Sequence, residues 1–151
     1  MSDLRDLYQE VIIDHAKHPR NFRKPEGANR TAEGVNPLCG DKVTIYLDVD
    51  GGTVKDIGFQ GSGCAISTAS ASMMTEAVKS MSVDEARRLA ERFHELLTGV
   101  PDAAAGAPEL GKLAVFAGVR EFPVRVKCAT LVWHSLRAAL ADDHHVVTTE
   151  E

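Results

Sequence analysis

The sequence predicts an α+β fold, with a small antiparallel sheet of about three strands and helices packed on one face of it. Apolar and polar side chains alternate over residues 43–49, the pattern of a half-buried strand. The run Asp50-Gly51-Gly52 then favours a tight hairpin turn, and a second strand, with a bulge, follows from Val54 to Phe59. From Cys64 onward the periodicity becomes helical. Strands followed by helices are typical of an α+β domain.

The remaining elements follow from periodicity and from turn residues. Apolar residues at helical spacing predict a first helix, and prolines and glycines predict the loop after it. The pattern Ser82 to Glu85 fits a capping box that opens a further helix, which Gly99 is expected to end. The predicted segments are a helix over 3–16, a loop over 18–30, a strand over 31–35, helices over 65–81, 82–99, 110–119 and 128–140, a flexible loop over 101–108 and a disordered tail over 142–151.

Composition bounds the class of protein. The 151 residues suit one domain, 1–151, with its own hydrophobic core. A net charge of −5 and an aromatic content of 5% argue against a nucleic-acid partner, which needs a basic face and stacking side chains. No apolar run approaches the roughly 20 residues that span a membrane, and the charged N-terminus is not a secretory signal. We expect a cytoplasmic protein without a membrane partner.

The three cysteines are placed for chemistry rather than for disulfides. Their number is odd and none belongs to a C-x-x-C pair, which argues against a disulfide framework. Cys39 and Asp41 flank a glycine, so a turn would direct both side chains to one centre. Cys64 follows a glycine-rich turn at an expected helix start, where the helix dipole favours a thiolate. Cys128 is also expected to open a helix and to be deprotonated, with Arg125 and Lys127 before it.

Three thiolates and a carboxylate make a four-coordinate set. Zinc accepts sulfur and oxygen ligands in a tetrahedron, and iron–sulfur chemistry also uses cysteine thiolates. The residues alone leave both readings open, together with that of three buried cysteines without a metal. Arg125 and Lys127 could offset the negative charge of such a site. The candidate ligands are Cys39, Asp41, Cys64 and Cys128.

Five segments resemble the NifU/IscU-like scaffold proteins, and together they cover roughly residues 4 to 140. Residues 38–41, 58–67 and 125–129 resemble that family's three cysteine motifs, in order and at fitting distances. Residues 7–15 and 19–22 resemble its N-terminal helix and loop. The resemblance implies an IscU/SufE-like fold and a metal site on Cys39, Asp41, Cys64 and Cys128.

Two features resemble the SufU branch of this family. Lys127 stands where the scaffold branch carries a histidine, and the stretch between Cys64 and Cys128 is longer than in that branch. The resemblance implies a zinc-dependent sulfurtransferase that takes persulfide sulfur from a SufS-like cysteine desulfurase and serves a downstream iron–sulfur scaffold. Cys39 is the expected acceptor, because its glycine-flanked loop can move. Residues 122–127 only partly resemble the scaffold's chaperone-binding motif.

Two further functions, a cluster scaffold and a zinc deaminase, and one docking region complete the predictions. The same four residues could hold a transient [2Fe–2S] cluster on an assembly scaffold. A zinc deaminase requires H-x-E followed by P-C-x-x-C, and neither pattern occurs. His15, His18, Arg20 and Arg23 make the first loop locally basic, which predicts that this region docks the desulfurase.

Overall fold

The computed structural model describes residues 2–98, 108–142 and 147–148. The predicted Gly99 helix end and most of the expected loop over 101–108 lie outside these residues. None of the helices described is long and apolar enough to cross a bilayer. In chain order the elements are α1 (Ser2–Lys17), β1 (Arg30–Asn36), β2 (Asp41–Asp50), β3 (Thr53–Ser62), α2 (Ala65–Val78), α3 (Val83–Thr98), a 3-10 helix (Pro108–Glu121), α4 (Pro123–Leu140) and β4 (Val147–Thr148).

The predicted three-stranded antiparallel sheet is confirmed. Strands β1, β2 and β3 pair as neighbours in antiparallel register. Gly51 and Gly52 have φ values of 59° and 79°, so the β2–β3 turn uses the left-handed conformations that glycine adopts without strain. The expected bulge is also present, because the register passes from Asp48↔Asp56 to Val49↔Val54 and leaves Lys55 as the extra residue of β3.

A fourth strand extends the sheet at β1. The short strand β4 pairs with β1 in parallel, with Val147 opposite Gly34. The sheet order is therefore β3-β2-β1-β4. The expectation of a disordered tail over 142–151 does not hold for Val147 and Thr148, because pairing with the edge of β1 gives their backbone hydrogen-bond partners.

The core lies between one face of the sheet and the helices. Val43, Ile45 and Leu47 alternate along β2 and are buried on the face that packs against the helices. Helix α4 crosses β1 closely, because a Cβ at Gly34 would overlap the hydroxyl of Ser135. In the same layer the Trp133 ring stacks on Phe93 with centroids 4.7 Å apart. The predicted packing of helices on one face is confirmed.

The predicted start of α3 is confirmed, whereas the predicted start of α4 is not. The capping box is present, since Glu85 N–H donates to Ser82 Oγ at 3.0 Å and Ser82 N–H donates to Glu85 Oε1 at 3.1 Å. The prediction that Cys128 opens a helix is wrong, because α4 begins at Pro123. Proline suits the first turn of a helix, where its missing N–H has no intrahelical partner. Cys128 therefore lies in the second turn of α4.

The segment after 107 also differs in detail from its prediction. The short helix expected over 110–119 is a 3-10 helix over Pro108–Glu121. It is interrupted at Gly111, whose φ of 49° and ψ of −125° are not helical. Beyond this break, Phe116 is fully buried and meets the ring of Phe93 edge-on, at 5.6 Å between centroids. This segment closes the core beside α3.

The first loop is fastened to α2 rather than left as a basic surface. His15 is buried and its Nδ1 lies 2.7 Å from Ser72 Oγ, which also accepts the Arg20 backbone N–H at 2.8 Å. The Arg20 guanidinium pairs with Asp14 at 2.7 Å, and Arg23 pairs with Asp56. His15 is therefore too buried to contact a partner directly, and both arginine charges have acidic neighbours. Docking of a desulfurase at this region stays a prediction.

Helix α1 is expected to become less firmly docked at mildly acid pH. Burial lowers the pKa of His15 from its ordinary value of 6.5, and the positive charge of Arg20 lowers it further, against smaller opposite effects of Glu76 and Asp14. The unfolded chain then binds a proton at His15 at a higher pH than the folded chain. The free energy of unfolding should therefore fall as the pH is lowered below about 6.5.

Urea unfolding followed by circular dichroism between about pH 5 and pH 7.5 measures this effect. In His15→Gln the free energy of unfolding should fall less steeply as the pH is lowered. Some of the fall should persist, because burial lowers the pKa of His134 as well. His18→Gln is the matched control, because His18 is exposed. An unchanged pH dependence in His15→Gln would contradict the assignment.

Candidate metal centre

Cys39 lies at the tip of the turn between β1 and β2. The carbonyl oxygen of Asn36 accepts the N–H groups of Cys39 at 3.3 Å and of Gly40 at 2.9 Å, which closes the turn. Gly40 has a φ of 72°, a conformation that glycine adopts readily, and it directs the chain into β2. The result is an exposed thiol at Cys39, followed two residues later by a buried carboxylate at Asp41.

The Asp41 carboxylate is fixed from two sides. Its Oδ1 accepts the backbone N–H of Cys64 at 2.9 Å, and its Oδ2 accepts the side-chain amide of Asn36 at 3.3 Å. The carboxylate also lies close to Gly63, where a Cβ would stand 2.7 Å from Oδ1. Only 2% of Asp41 is exposed, so these hydrogen bonds replace water around a buried charge.

Cys64 caps α2, as the sequence predicts. Its backbone is extended, with φ of −72° and ψ of 171°, and its Sγ accepts the N–H of Ser67 at 3.4 Å. The first N–H groups of a helix lack intrahelical partners and carry partial positive charge. The thiol of Cys64 therefore lies where negative charge on sulfur is stabilised.

Cys128 has the opposite environment. It is 2% exposed, and its Sγ lies 3.2 Å from Cys39 Sγ and 3.5 Å from Asn36 Nδ2. Burial raises the pKa of the Cys128 thiol, and hydrogen bonds with Cys39, Asp41 and Cys64 raise it further. The expectation that Cys128 is deprotonated by its position is wrong, because it lies in the second turn of α4 and is buried. Without a cation this thiol keeps its proton near neutral pH.

The structure brings three of the four predicted ligands into one cluster. One ligand atom each of Cys39, Asp41 and Cys128 lies within 4.8 Å of the other two. Cys64 Sγ is outside this group but adjoins it, because the Cys64 backbone N–H donates to Asp41 Oδ1 at 2.9 Å. Two thiols and a carboxylate, with a third thiol beside them, are a donor set that fits a thiophilic cation.

Sequence reasoning missed Asn36 and Gly63 as parts of this centre. The signal for Asn36 was its position before the Cys39 turn, since a tight β1–β2 hairpin places it opposite Asp41. Gly63 carried a weaker signal, because its glycine-rich neighbourhood was attributed to the turn rather than to contact with a carboxylate. The predicted role of Arg125 and Lys127 in offsetting charge stays a prediction. The guanidinium of Arg125 lies over the ring of Phe122, 4.8 Å from its centroid.

The three thiols should differ in reactivity when the chain is reduced and metal-free. We expect iodoacetamide to alkylate Cys39 faster than Cys128 by about tenfold or more, because the Cys128 thiol is buried and has a raised pKa. Mass spectrometry of the digested protein over a time course measures each rate. Denatured chain is the control, in which the cysteines should react at similar rates. Faster labelling of Cys128 in the folded chain would contradict the geometry described here.

Comparisons with known proteins match most of the chain. Residues 7–129 match the family described as NifU-like N-terminal domain. The chain is 41% identical over 140 residues to the iron–sulfur cluster assembly scaffold protein IscU of Streptococcus pyogenes serotype M1, which covers 93% of this chain and 86% of that protein. It is 37% identical over 142 residues to the zinc-dependent sulfurtransferase SufU of Bacillus subtilis (strain 168), covering 94% and 95%.

The fold is shared with a solved relative. A structure from Fervidobacterium islandicum AW-1, described as an iron–sulfur cluster assembly scaffold for the SUF system, matches with a TM-score of 0.77 and 35% identity. The match covers 90% of this chain and 98% of that one. The resemblance predicted from the cysteine motifs is thereby confirmed. The chain belongs to the NifU-like N-terminal domain family, and its relatives include proteins named as an iron–sulfur cluster assembly scaffold and as a zinc-dependent sulfurtransferase.

Proposed function

We propose that this chain is a zinc-dependent sulfur acceptor of the SufU branch, which takes persulfide sulfur from a cysteine desulfurase for iron–sulfur cluster assembly. One observation carries the proposal: in a cluster of candidate ligands whose other two members, Asp41 and Cys128, are buried, the residue Cys39 is exposed. A group that accepts sulfur from another protein must be reachable from outside. The other members of such a centre need only hold their positions.

The residues that would hold zinc are Cys39, Asp41, Cys64 and Cys128. Bound zinc would supply charge stabilisation that keeps these thiols in the deprotonated, nucleophilic form. The four residues differ in how firmly the fold holds them. Cys64 begins α2, Cys128 is buried within α4, and Asp41 is hydrogen-bonded on both oxygens. Cys39 is carried by a turn and is the ligand with freedom to leave.

The transfer step uses the Cys39 sulfur. As a thiolate it attacks the terminal sulfur of the persulfide on the desulfurase cysteine. A new sulfur–sulfur bond forms on Cys39 while the bond within the desulfurase persulfide breaks, and the desulfurase cysteine leaves as a thiolate. Electrons and atoms balance without an external oxidant. The turn closed by the Asn36 carbonyl presents Cys39 outward for this encounter.

Apolar side chains near the centre support a protein partner. Leu38, beside Cys39, is 58% exposed, and Val124, one helical turn before Cys128, is 50% exposed. Contiguous exposed apolar surface marks protein-interaction sites, and we expect these two side chains to form part of such a surface around Cys39. A SufS-like cysteine desulfurase is the partner that fits the reaction, and a downstream iron–sulfur scaffold is the recipient.

The alternative function is that of a scaffold that assembles a transient [2Fe–2S] cluster on the same residues. The similarity to the Streptococcus pyogenes protein, which is named as such a scaffold, favours it. In that case the cluster is cargo, and the ligands must release it. Cys128 is buried, and Asp41 accepts a hydrogen bond on each carboxylate oxygen. Both features favour a resident metal ion over a cluster that must be released.

The proposal predicts that the zinc-loaded chain accelerates cysteine turnover by a cysteine desulfurase. Cys39→Ala should reduce the rate to that of the desulfurase alone, because the accepting thiol is missing. Turnover is measured with zinc-loaded and zinc-stripped chain, each checked for its fold, and mass spectrometry should find one additional sulfur atom on the Cys39 peptide of the wild type. Gly118→Ala is the control, because it keeps all four candidate ligands and a Cβ there would meet nothing within 4 Å, so it should still form the persulfide.

Two results would decide against this function. If Cys39→Ala accelerates turnover as the wild type does, Cys39 is not the acceptor. If neither loaded nor stripped chain accelerates turnover while the chain assembles a cluster from iron and sulfide, the scaffold function holds instead.

Gly63→Ala should weaken zinc binding while leaving all four candidate ligands in the sequence. Its Cβ would displace the Asp41 carboxylate from a position 2.7 Å away, and disturbing the groups that orient a ligand lowers metal affinity by about 10–100-fold. Competition with a chromophoric chelator measures the affinity. Gly118→Ala is the matched control, because a Cβ there would meet nothing within 4 Å. Equal affinities for the two variants would show that Gly63 is not needed for the site.

A further inference from the structure

Asn36 is a buried amide placed between two candidate ligands. It is fully buried, and its Nδ2 lies 3.3 Å from Asp41 Oδ2 and 3.5 Å from Cys128 Sγ. An amide nitrogen carries two hydrogens, so it can donate to the carboxylate and to the sulfur at once. The two acceptors belong to β2 and α4, which are far apart in sequence and meet at this side chain.

We propose that Asn36 is a positioning residue of the metal centre, which holds Asp41 and Cys128 together and shares their negative charge through hydrogen bonds. This inference rests on the proposed metal binding at Cys39, Asp41, Cys64 and Cys128. Asn36 is not itself a ligand in this proposal, because the atom that points at both acceptors is a donor nitrogen.

The charge of the occupied site explains the need for such a donor. Three thiolates and one carboxylate around a divalent cation leave a formal charge of about −2. Asp41 and Cys128 are each 2% exposed, so water cannot stabilise that charge freely. Buried charge is costly unless hydrogen bonds compensate it. The Cys64 backbone N–H donates to Asp41 Oδ1, and the Ser67 backbone N–H donates to Cys64 Sγ. The Asn36 amide donates to the two remaining acceptors, Asp41 Oδ2 and Cys128 Sγ.

The backbone of Asn36 reaches a third ligand. Its carbonyl oxygen accepts the N–H groups of Cys39 and Gly40, at 3.3 Å and 2.9 Å, and so sets the turn that carries the Cys39 thiol. In the sheet register Asn36 is the residue opposite Asp41, which fixes its Cα beside the centre. One residue therefore connects the exposed ligand to two buried ones.

The test compares zinc and cobalt binding by Asn36→Ala, Asn36→Asp and the wild type. Asn36→Asp preserves the size of the side chain but replaces the donor by a carboxylate, and it keeps the test open if Asn36→Ala does not fold. Asn29→Ala is the matched control. Asn29 donates to the Val49 carbonyl at 2.8 Å and accepts the Val49 N–H at 2.9 Å, so this variant loses two hydrogen bonds of the same sheet at the other end of β2.

Both Asn36 variants should bind Zn²⁺ about 10–100-fold more weakly than the wild type in chelator competition, at unchanged stoichiometry. With Co²⁺ bound, their thiolate-to-cobalt charge-transfer band should move to lower energy, because a lost N–H donor raises the energy of the sulfur electrons. Asn29→Ala should match the wild type in affinity and in spectrum. A general loss of stability would not move the band, so the spectrum separates positioning from a merely structural role.

The outcomes separate this inference from the proposed function. Wild-type affinity and an unmoved band in a folded Asn36 variant overturn the inference, even where the wild-type chain accelerates a desulfurase. Weaker binding and a moved band support it, even where the wild-type chain leaves desulfurase turnover unchanged and the proposed function fails. Equal losses of affinity in Asn36→Ala and Asn29→Ala also overturn it. A wild-type chain that binds neither Zn²⁺ nor Co²⁺ overturns both.

Discussion

The buried carboxylate of Asp41 is the constraint on which the rest of the centre depends. A charge that is 2% exposed must be hydrogen-bonded, and its partners come from different elements, the Cys64 N–H at the start of α2 and the Asn36 amide at the end of β1. Satisfying one side chain therefore fixes where the β1–β2 turn meets the first turn of α2. Cys39 and Cys64 lie near each other as a consequence. Cys39 is two residues before Asp41, and the backbone N–H of Cys64 donates to the Asp41 carboxylate.

Helix α4 carries the remaining candidate ligand, Cys128, and is held firmly in the core. Ser70 Oγ on α2 donates to the carbonyl of Ala129 at 2.6 Å and accepts the Trp133 Nε1–H at 3.1 Å, so α4 is held over the turn that directly follows Cys128. On its other side the helix lies against β1, where Gly34 leaves room for Ser135. Moving Cys128 would disturb the core, whereas moving Cys39 disturbs only a turn. The candidate centre thus combines a buried part, held by the core, with one exposed residue, Cys39.

The sequence predicted those features that depend on near neighbours in the chain. Alternation in β2, the Gly51-Gly52 turn and the Ser82–Glu85 box are local, and the pairing of Cys39 with Asp41 is local too. The start of α4 was missed because Pro123 is compatible with both a break and a first turn. Protonation of Cys128, burial of His15 against Ser72 and the double role of Asn36 could not be predicted. Each arises where segments far apart in sequence exclude water from a polar group.

The same ligand set can in principle serve a resident ion or a cluster in transit, so the surroundings of the ligands matter more than their identity. A cluster that must leave is best held by groups that can all be exposed. Here Cys128 is only 2% exposed and lies within α4, so exchange of a metal at its sulfur requires movement in the core. Asp41 is already hydrogen-bonded on both oxygens and cannot turn outward without leaving them unpaired. Two of the four candidate ligands are thus poorly suited to repeated release. In the proposed function the exposed Cys39 is therefore the residue at which chemistry with a partner takes place.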